Sequence, residues 1–189
     1  MNNFNLIISG YGGQGVITLA DLISKIALKQ NLEVKQAELH GLAQRGGSVQ
    51  THVRFGKNIY SAKVARAEAD LVIALDLLEA GRSCYWSDKS KTIILSDSEL
   101  YWPYDDKIET DIILNKVKKM VKKLEIVDAT KTAKDLTGNP VSSNVYMLGA
   151  AISKNFLPFE KDEAWHIVKQ NLKPEYLELN QKVYQAAFK

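Results

Sequence analysis

The sequence predicts an α/β fold: an open, mostly parallel sheet that carries one antiparallel hairpin and is covered by C-terminal helices. Short, continuously apolar runs recur along the chain, as in strands that are buried on both faces of a parallel sheet. Stretches with apolar residues at helical spacing separate these runs, which is the alternation expected of an α/β fold. One further segment alternates apolar and polar residues, a pattern typical of a half-buried antiparallel strand.

The first half of the chain supplies a strand–loop–helix–strand unit and the hairpin. Phe4–Ser9 is an apolar run that stops at a cluster of glycines, so we expect a strand there. Apolar residues recur at helical spacing over Val16–Lys29, and Glu33–Leu39 alternates well enough for a second strand. Ser48–Phe55 has the antiparallel pattern, and the glycine turn after it predicts a hairpin with Ile59–Val64.

The second half continues the parallel sheet and ends in helices. Asp70–Leu75 and Thr92–Leu95 read as two more apolar strands, with a short helix at Leu77–Arg82 between them. A helix at Asp111–Leu124 then precedes a last strand at Leu124–Val127. Three helical stretches close the chain: Ser143–Lys154, Phe159–Gln170 and Pro174–Ala187. We expect these C-terminal helices, about residues 143–189, to wrap the same domain, so that residues 1–189 form a single domain.

Composition narrows the possible partners and location. The 189 residues are 46% hydrophobic and 25% charged, as in a globular protein, and carry a formal net charge of only +3. That charge is too small to favour nucleic acid or an anionic membrane as a partner. No apolar run approaches the roughly 20 residues of a spanning helix, and the polar start does not resemble a signal peptide. We therefore expect a cytoplasmic protein.

Cysteine and histidine usage argues against a metal centre held by this chain alone. Cys84 is the only cysteine, so neither a disulfide within the chain nor a cysteine-ligated iron–sulfur cluster can form. The three histidines, His40, His52 and His166, are too far apart for the compact spacing of a metal motif. The sequence also shows no Ser–His–Asp spacing, Walker sequence or paired-carboxylate motif. We predict neither a metal ligand nor a catalytic residue in this chain.

The strongest local motif is the glycine-rich turn between the first strand and the first helix. It contains Gly10, Gly12, Gly13, Gln14 and Gly15, and the G-x-G-x-x-G pattern is satisfied by Gly10, Gly12 and Gly15. Glycines let an anion approach the backbone, and the helix N-terminus offers free N–H groups, so we predict a cofactor-binding loop. A tight strand-to-helix crossover would need the same glycines. In a Rossmann-like dinucleotide site, Glu38 would be the acid at the end of the second strand, although it could equally be a solvated side chain.

A second glycine-rich segment, residues 41–48, follows the second strand. It places Gln44, Arg45, Gly46 and Gly47 in a loop whose backbone can be approached closely, with the guanidinium as a planar charge. At the carboxyl end of its strand this loop would stand beside the first glycine loop, where ligands bind in such sheets. We therefore predict that these four residues line a substrate crevice. The alternative is a turn in which Arg45 forms a surface ion pair.

A third candidate lies near the start of the first C-terminal helix. Asn144 follows a Gly-Asn-Pro segment and could face a ligand or partner, so we add it to the predicted crevice residues. Ser142 or Ser143 is expected to cap the helix. The lysines of the helix before the last strand are expected to form a solvated face: Lys116, Lys118, Lys119, Lys122 and Lys123.

Taken in order, these motifs resemble the gamma-type subunit or domain of 2-oxoacid:ferredoxin oxidoreductases. The resemblance rests on Gly10–Val16, His40–Val49 and the His52–Gly56 strand, and Ala67–Leu75 and Asn139–Gly149 fit the same pattern. It covers most of residues 5–154. The A-Q-R-G-G form of the second loop resembles most closely the beta subunit of indolepyruvate:ferredoxin oxidoreductase.

The resemblance implies a non-autonomous subunit of an enzyme that oxidatively decarboxylates 2-oxoacids to acyl-CoA, with indolepyruvate and other aryl pyruvates as substrates in this branch. It also implies that a large partner subunit holds thiamine diphosphate and iron–sulfur clusters, that coenzyme A is the co-substrate, and that ferredoxin accepts the electrons. This chain would hold no cofactor alone and would close part of the crevice. In isolation it could form a homo-oligomer through the surface meant for the partner.

Three alternatives to this interpretation remain. The first is a self-contained NAD- or flavin-binding Rossmann protein that uses the first glycine loop and Glu38. The second is a subunit of a related pyruvate or 2-oxoglutarate:ferredoxin oxidoreductase. The third is a structural adaptor that stabilises a partner and touches no ligand.

Overall fold

A six-stranded sheet forms the centre of the described structure, a computed structural model that covers residues 3–41, 47–102 and 109–189. The strands are β1 (Phe4–Tyr11), β2 (Glu33–His40), β3 (Ser48–Gly56), β4 (Leu71–Ala74), β5 (Ile93–Asp97) and β6 (Lys123–Val127). Their order is β2–β3–β1–β4–β5–β6. The pairs β1–β4, β4–β5 and β5–β6 are parallel, whereas β3 is antiparallel to both β1 and β2. The predicted mostly parallel α/β sheet with an antiparallel element is confirmed.

Seven helices accompany the sheet within the same residue ranges. They are α1 (Val16–Lys29), α2 (Leu77–Arg82), α3 (Thr110–Met120), α4 (Ala129–Thr137), α5 (Ser143–Ser153), α6 (Lys161–Asn171) and α7 (Pro174–Ala186). The predicted first helix, the short helix and the three C-terminal helices are confirmed. α3 ends earlier than predicted, because Val121 already has an extended backbone and β6 begins two residues later. None of the helices described is long and apolar enough to cross a membrane.

Alternation along the strands divides the core between the two faces of the sheet. Leu6 and Ile8 of β1 point to the face covered by α1, α5, α6 and α7. Ile7 points to the opposite face, where it packs with Val72 of β4 and with residues of α2 and α3 such as Ile113. Burial of an aliphatic side chain of this size stabilises the fold by ~1.5–3 kcal/mol. The lysines expected on a solvated face are all exposed: Lys116, Lys118, Lys119, Lys122 and Lys123.

The hairpin prediction was wrong in its partner strand. Ile59–Val64 forms no strand, and β3 pairs instead with β2 on one edge and with β1 on the other. Since both edges of β3 are occupied, the chain after it has no free edge to pair with. Ile59 and Val64 are buried, and the Val64 N–H donates to Nδ1 of His52 at 3.0 Å. The apolar residues of this segment therefore cover the sheet rather than extend it.

The sequence reasoning missed α4. Its buried face consists of Ala129, Thr130 and Ala133, so it lacks the large apolar residues that reveal an amphipathic helix. The carboxylate of Asp97, at the end of β5, accepts hydrogen bonds from the backbone N–H groups of Ala129 and Thr130 at 3.1 and 3.0 Å. A buried aspartate from another element thus stabilises the start of this helix.

His52 is a buried histidine whose ring is neutral in the folded protein. Its ring packs edge-on against Trp86, with ring centroids 4.7 Å apart, and its side chain is inaccessible to solvent. Burial and, secondarily, the charge of Lys63 lower the pKa of His52 from 6.5 to about 4. The unfolded chain takes up this proton near pH 6.5, so the stability present above that pH is lost as pH falls toward 4.

We expect this titration to lower the free energy of unfolding by about 2 kcal/mol between pH 7 and pH 5. Urea unfolding at both pH values measures the effect. The matched control is His52→Asn, which retains an acceptor near the position of Nδ1 and does not titrate in this range. The same pH dependence in both proteins would contradict the assignment.

Candidate functional site

The predicted glycine turn lies at the carboxyl edge of the sheet. β1 ends at Tyr11, and the chain passes through residues 12–15 into α1. The parallel strand β4 ends beside it, with Ser9 opposite Ala74 and the Leu75 N–H donating to the Ser9 carbonyl at 2.8 Å. In open α/β sheets, ligands bind at this edge.

Gly10 and Gln14 hold the turn tightly closed. Oε1 of Gln14 accepts a hydrogen bond from the Tyr11 N–H at 2.6 Å, and its Nε2 donates to the Leu75 carbonyl at 3.1 Å. A Cβ atom on Gly10 would lie 2.8 Å from Oε1 of Gln14 and 2.9 Å from Cγ2 of Val16. Both ends of the Gln14 carboxamide are therefore engaged within the protein, and these two residues serve the crossover itself.

Gly13 and Gly15 shape the part of the turn that faces solvent. Their φ angles are +108° and +83°, values that favour glycine. Nothing lies within 4 Å of the position that a Cβ on Gly13 would take, so the backbone there is open to approach. The backbone N–H groups of residues 16–18, at the start of α1, have no acceptor among the described residues. This helix N-terminus can therefore attract an anion.

The end of the second glycine loop contacts the first. The Gly12 N–H donates to the Gly47 carbonyl at 3.0 Å, and Tyr11 lies opposite Ser48 in the β1–β3 ladder. The structure thus places Gly47 directly against the glycine turn. Of the other predicted residues in this loop, Gln44, Arg45 and Gly46 lie outside the described residues.

Asn144 packs against the glycine turn from the other side. It is buried in the first turn of α5, and its Nδ2 donates to the Gly15 carbonyl at 3.5 Å. Neither Ser142 nor Ser143 caps α5 with its side chain, so that expectation was wrong. Instead Oδ1 of Asn139 accepts from the Val141 N–H at 2.9 Å and caps the short 3₁₀ turn before α5.

A buried acidic cluster links the glycine turn to the second loop. Glu79, in α2, accepts a hydrogen bond from the Ser48 hydroxyl at 2.7 Å and pairs with Arg82 at 2.5 Å.

Asp76 caps α2 through the Leu78 and Glu79 N–H groups and also accepts from the Tyr101 N–H at 2.5 Å. Burial raises the pKa of Asp76, against the lowering effect of these backbone hydrogen bonds. The Tyr11 ring packs on the Tyr101 ring with centroids 4.5 Å apart, and burial raises the pKa of Tyr11.

The sequence reasoning did not select this cluster. The one available signal was Asp76 followed by Glu79 after a strand, which resembles an ordinary helix start. Glu79 does not complete that pattern, because its carboxylate turns to Ser48 and Arg82. The cluster holds Ser48, the last residue of the second loop, against α2.

Three clefts meet at Gly13. One of about 330 Å³ runs along the glycine turn and the start of α1. A second of about 230 Å³ includes Tyr101, Thr130 and Lys134, and a third of about 380 Å³ extends toward α7. Together they form an open crevice along the carboxyl edge. The crevice offers backbone N–H groups and glycines, and its described lining also includes Thr130, whose hydroxyl donates to the buried carboxylate of Asp97 at 2.6 Å.

The residues present do not fit an iron–sulfur cluster. The single cysteine, Cys84, is buried with its Sγ atom 3.7 Å from the Ala80 carbonyl, and burial raises its pKa. Among the described residues, no three His, Cys, Asp or Glu side chains are grouped so that they could hold a metal ion. One thiol cannot supply the four ligands of such a cluster.

Comparison with known proteins gives the family. The pyruvate ferredoxin/flavodoxin oxidoreductase family matches residues 5–189. The chain belongs to this family. Indolepyruvate oxidoreductase subunit IorB of Thermococcus kodakarensis is 29% identical over 196 residues, which cover 100% of this chain and 96% of that protein. The pyruvate/ketoisovalerate oxidoreductases common subunit gamma of Pyrococcus furiosus is 28% identical over 181 residues, which cover 95% of this chain and 92% of that subunit.

The fold of this oxidoreductase-family chain is also found in a solved structure. The keto/oxoacid ferredoxin oxidoreductase gamma subunit from Geobacter sulfurreducens superposes with a TM-score of 0.71 at 22% identity, over 98% of this chain and 96% of that one. The predicted resemblance to gamma-type subunits of 2-oxoacid:ferredoxin oxidoreductases is confirmed.

The strand order of this family member weighs against a dinucleotide site that uses Glu38. In such a site, the acid-bearing second strand lies next to the first strand. Here β3 lies between β1 and β2, and Glu38 pairs in register with Thr51 of β3. Two strand spacings, about 10 Å, therefore separate Glu38 from β1. Its exposed side chain fits the interpretation as a solvated acid.

Proposed function

We propose that the chain is the non-autonomous subunit of a cytoplasmic, thiamine-diphosphate-dependent aryl pyruvate:ferredoxin oxidoreductase, with indolepyruvate as the typical substrate. The overall reaction converts a 2-oxoacid, coenzyme A and two oxidised ferredoxins into an acyl-CoA, carbon dioxide, a proton and two reduced ferredoxins. A large partner subunit holds thiamine diphosphate and the iron–sulfur clusters, which supply the nucleophile and the path for electrons. This chain forms one wall of the crevice.

The observation that carries the proposal is the contact between the two glycine loops. The hydrogen bond from Gly12 to Gly47 joins the end of the second loop to the first loop at the carboxyl edge of the sheet. Beside this contact, the N-terminus of α1 presents free N–H groups to the crevice. A site that offers groups for binding an anion suits a subunit that positions a substrate for chemistry on another chain.

The chain's own residues have binding roles in this proposal. The N–H groups at the start of α1 donate to an anionic group, either the carboxylate of the 2-oxoacid or a phosphate of coenzyme A. Arg45 supplies a fixed cation from the second loop. Gly13 leaves the backbone open, and Asn144 supports the turn from behind.

The aryl pyruvate class is supported by two observations. The indolepyruvate oxidoreductase relative is matched over the whole of this chain. The second loop also has the A-Q-R-G-G form at residues 43–47. The pyruvate/ketoisovalerate relative is nearly as similar in identity, so the substrate class must be tested by direct comparison.

Reconstitution tests the proposed function. The chain, its co-expressed partner subunit and the mixture are assayed for ferredoxin reduction with indolepyruvate, pyruvate or 2-oxoglutarate. We expect activity in the mixture, none in the isolated chain, and the highest kcat/KM with indolepyruvate. Micromolar binding of NAD(H) or FAD by the isolated chain, together with hydride transfer, would overturn the proposal, and a preference for pyruvate or 2-oxoglutarate would overturn its substrate class.

Arg45→Ala separates a binding wall from a structural adaptor. Loss of one charge-assisted contact costs about 2 kcal/mol, so kcat/KM of the assembled enzyme should fall about 30-fold. Arg66→Ala is the control, because Arg66 is exposed and lies over the ring of Tyr85, away from the crevice. Normal turnover of an intact Arg45→Ala complex would indicate an adaptor.

A further inference from the structure

A groove of about 380 Å³ leads from the glycine turn to α7. Its walls come from the start of α1, the segment before α5, α5 itself and the C-terminal helices. The thirteen described residues that line it include Val141, Asn144, Tyr176, Leu179 and Asn180. None of these residues is charged, although a quarter of the chain is.

Large apolar side chains at this groove are exposed to solvent. Val141 is 69% exposed, Tyr176 50% and Leu179 36%, and the three share one surface. Ile17, 40% exposed, extends the apolar surface along the adjoining cleft of the glycine turn. A contiguous apolar patch of this kind marks a surface that is covered by something else.

Two buried asparagines point to a hydrogen-bonding occupant. Asn144 and Asn180 are each only 7% exposed and both line the groove. Their amide nitrogens donate to the carbonyls of Gly15, at 3.5 Å, and Tyr176, at 2.8 Å. Neither side-chain oxygen accepts a hydrogen bond from any described residue. These two oxygens are not among the buried unpaired atoms of the described structure, so they are open to the groove and can accept hydrogen bonds from the backbone N–H groups of a bound polypeptide.

We infer that this groove docks an uncharged, apolar segment of the cofactor-bearing partner subunit. The inference rests on the proposed function, which requires a partner at the crevice. The groove shares Gly13 and Gly15 with the cleft of the glycine turn, so a subunit that covers the crevice meets the groove as well. Val141, Tyr176 and Leu179 then pack against apolar side chains of the segment, and Asn144 and Asn180 accept its backbone N–H groups.

Two other occupants fit less well. The 2-oxoacid and coenzyme A are anions, and no cationic side chain among the described residues lines the groove. A second copy of the chain seated here would cover the same edge of the sheet that the partner must reach. The absence of charge in the groove thus favours an apolar polypeptide from the partner.

The test compares partner binding by three forms of the full chain. The double variant Val141→Asp/Tyr176→Asp places two charges in the groove at exposed positions, so it should fold. Ile112→Asp is the matched control, because Ile112 is 48% exposed on α3, on the opposite face of the sheet. The dissociation constant for the purified partner subunit is measured by titration of the labelled chain, after equal melting temperatures have shown that each variant is folded.

We expect the double variant to bind the partner at least tenfold more weakly, and the control to bind as the wild type does. Unchanged binding by the double variant would overturn the inference. Unchanged binding with a raised KM for coenzyme A would overturn it in favour of a small-molecule subsite. Loss only of self-association by the isolated chain would overturn it in favour of a second copy. If instead the proposed function is wrong, the wild-type complex will form but will reduce no ferredoxin with any 2-oxoacid. That result differs from a failure of the docking inference, in which the double variant binds normally.

Discussion

Gly15→Ala is expected to lower the free energy of unfolding by about 3 kcal/mol. The backbone of Gly15 has φ +83°, where a Cβ atom costs ~1–2 kcal/mol. The new atom would also overlap Nδ2 of Asn144 and lie 3.1 Å from its Cγ. Overpacking of this kind adds ~1–3 kcal/mol. Urea unfolding of the isolated chain measures the total.

Gly13→Ala is the matched control for this change. Gly13 also has a positive φ, +108°, but nothing lies within 4 Å of its Cβ position, so only the backbone cost of ~1–2 kcal/mol remains. The double variant Gly15→Ala/Asn144→Ala lacks the obstructing carboxamide. Its loss in free energy of unfolding should therefore be smaller than the sum of the two single losses by more than 1 kcal/mol. Equal losses for Gly13→Ala and Gly15→Ala would contradict the contact between the turn and Asn144.

Glu79→Ala is expected to destabilise the chain by about 3 kcal/mol and to loosen the crevice. Glu79 is 2% exposed, and its carboxylate holds Ser48 and Arg82. Loss of charge-assisted hydrogen bonds of this kind costs ~1.5–3 kcal/mol, and the lost side-chain packing adds to that cost. Since Ser48 follows Gly47, its release should weaken the Gly12–Gly47 hydrogen bond. Faster exchange of the Gly12 amide hydrogen reports this loosening.

A surface ion pair provides the control for Glu79. Glu68 pairs with Lys91 at 2.7 Å, but its side chain is 55% exposed, so Glu68→Ala should cost about 0.5 kcal/mol and leave the Gly12 amide unchanged. Glu79→Gln keeps an acceptor for Ser48 and should protect Gly12 better than Glu79→Ala does. Equal exchange at Gly12 in the wild type and Glu79→Ala would show that the cluster does not position the loop.

The fold was predictable where one element carries its own periodic signal. The apolar runs of β1, β4 and β5 and the apolar stripe of α1 are visible within short segments of the sequence, so each of these elements could be predicted from its own residues. The pairing of β3 depends on which edges are free in three dimensions, and the alternation of Ser48–Phe55 does not contain that information. α4 escaped detection because Ala and Thr form its buried face and Asp97, far away in sequence, supports its start.

The site was predictable to the extent that glycines reveal backbone constraints. Gly13 and Gly15 need positive φ, and the sequence pattern pointed to both. The role of Gln14 within the turn was not visible, because its partner Leu75 is 61 residues away. Glu79 was missed for the same reason, since its hydrogen bond to Ser48 spans 31 residues. The roles of Gln14 and Glu79 depend on contacts between residues far apart in the sequence, and such contacts cannot be inferred from a single sequence.

Amide hydrogen exchange of the isolated chain and of the assembled complex tests most directly whether this chain faces the catalytic partner with its glycine turn. In the complex we expect strong protection of residues 15–18; within residues 12–18 of the isolated chain, the Gly12 N–H donates to Gly47 and the Gln14 N–H to Tyr11, whereas the N–H groups of residues 16–18 have no acceptor among the described residues. The exposed lysine face of α3, on the other side of the sheet, should exchange equally in both states. Protection confined to α3, with residues 15–18 unchanged by assembly, would contradict the account.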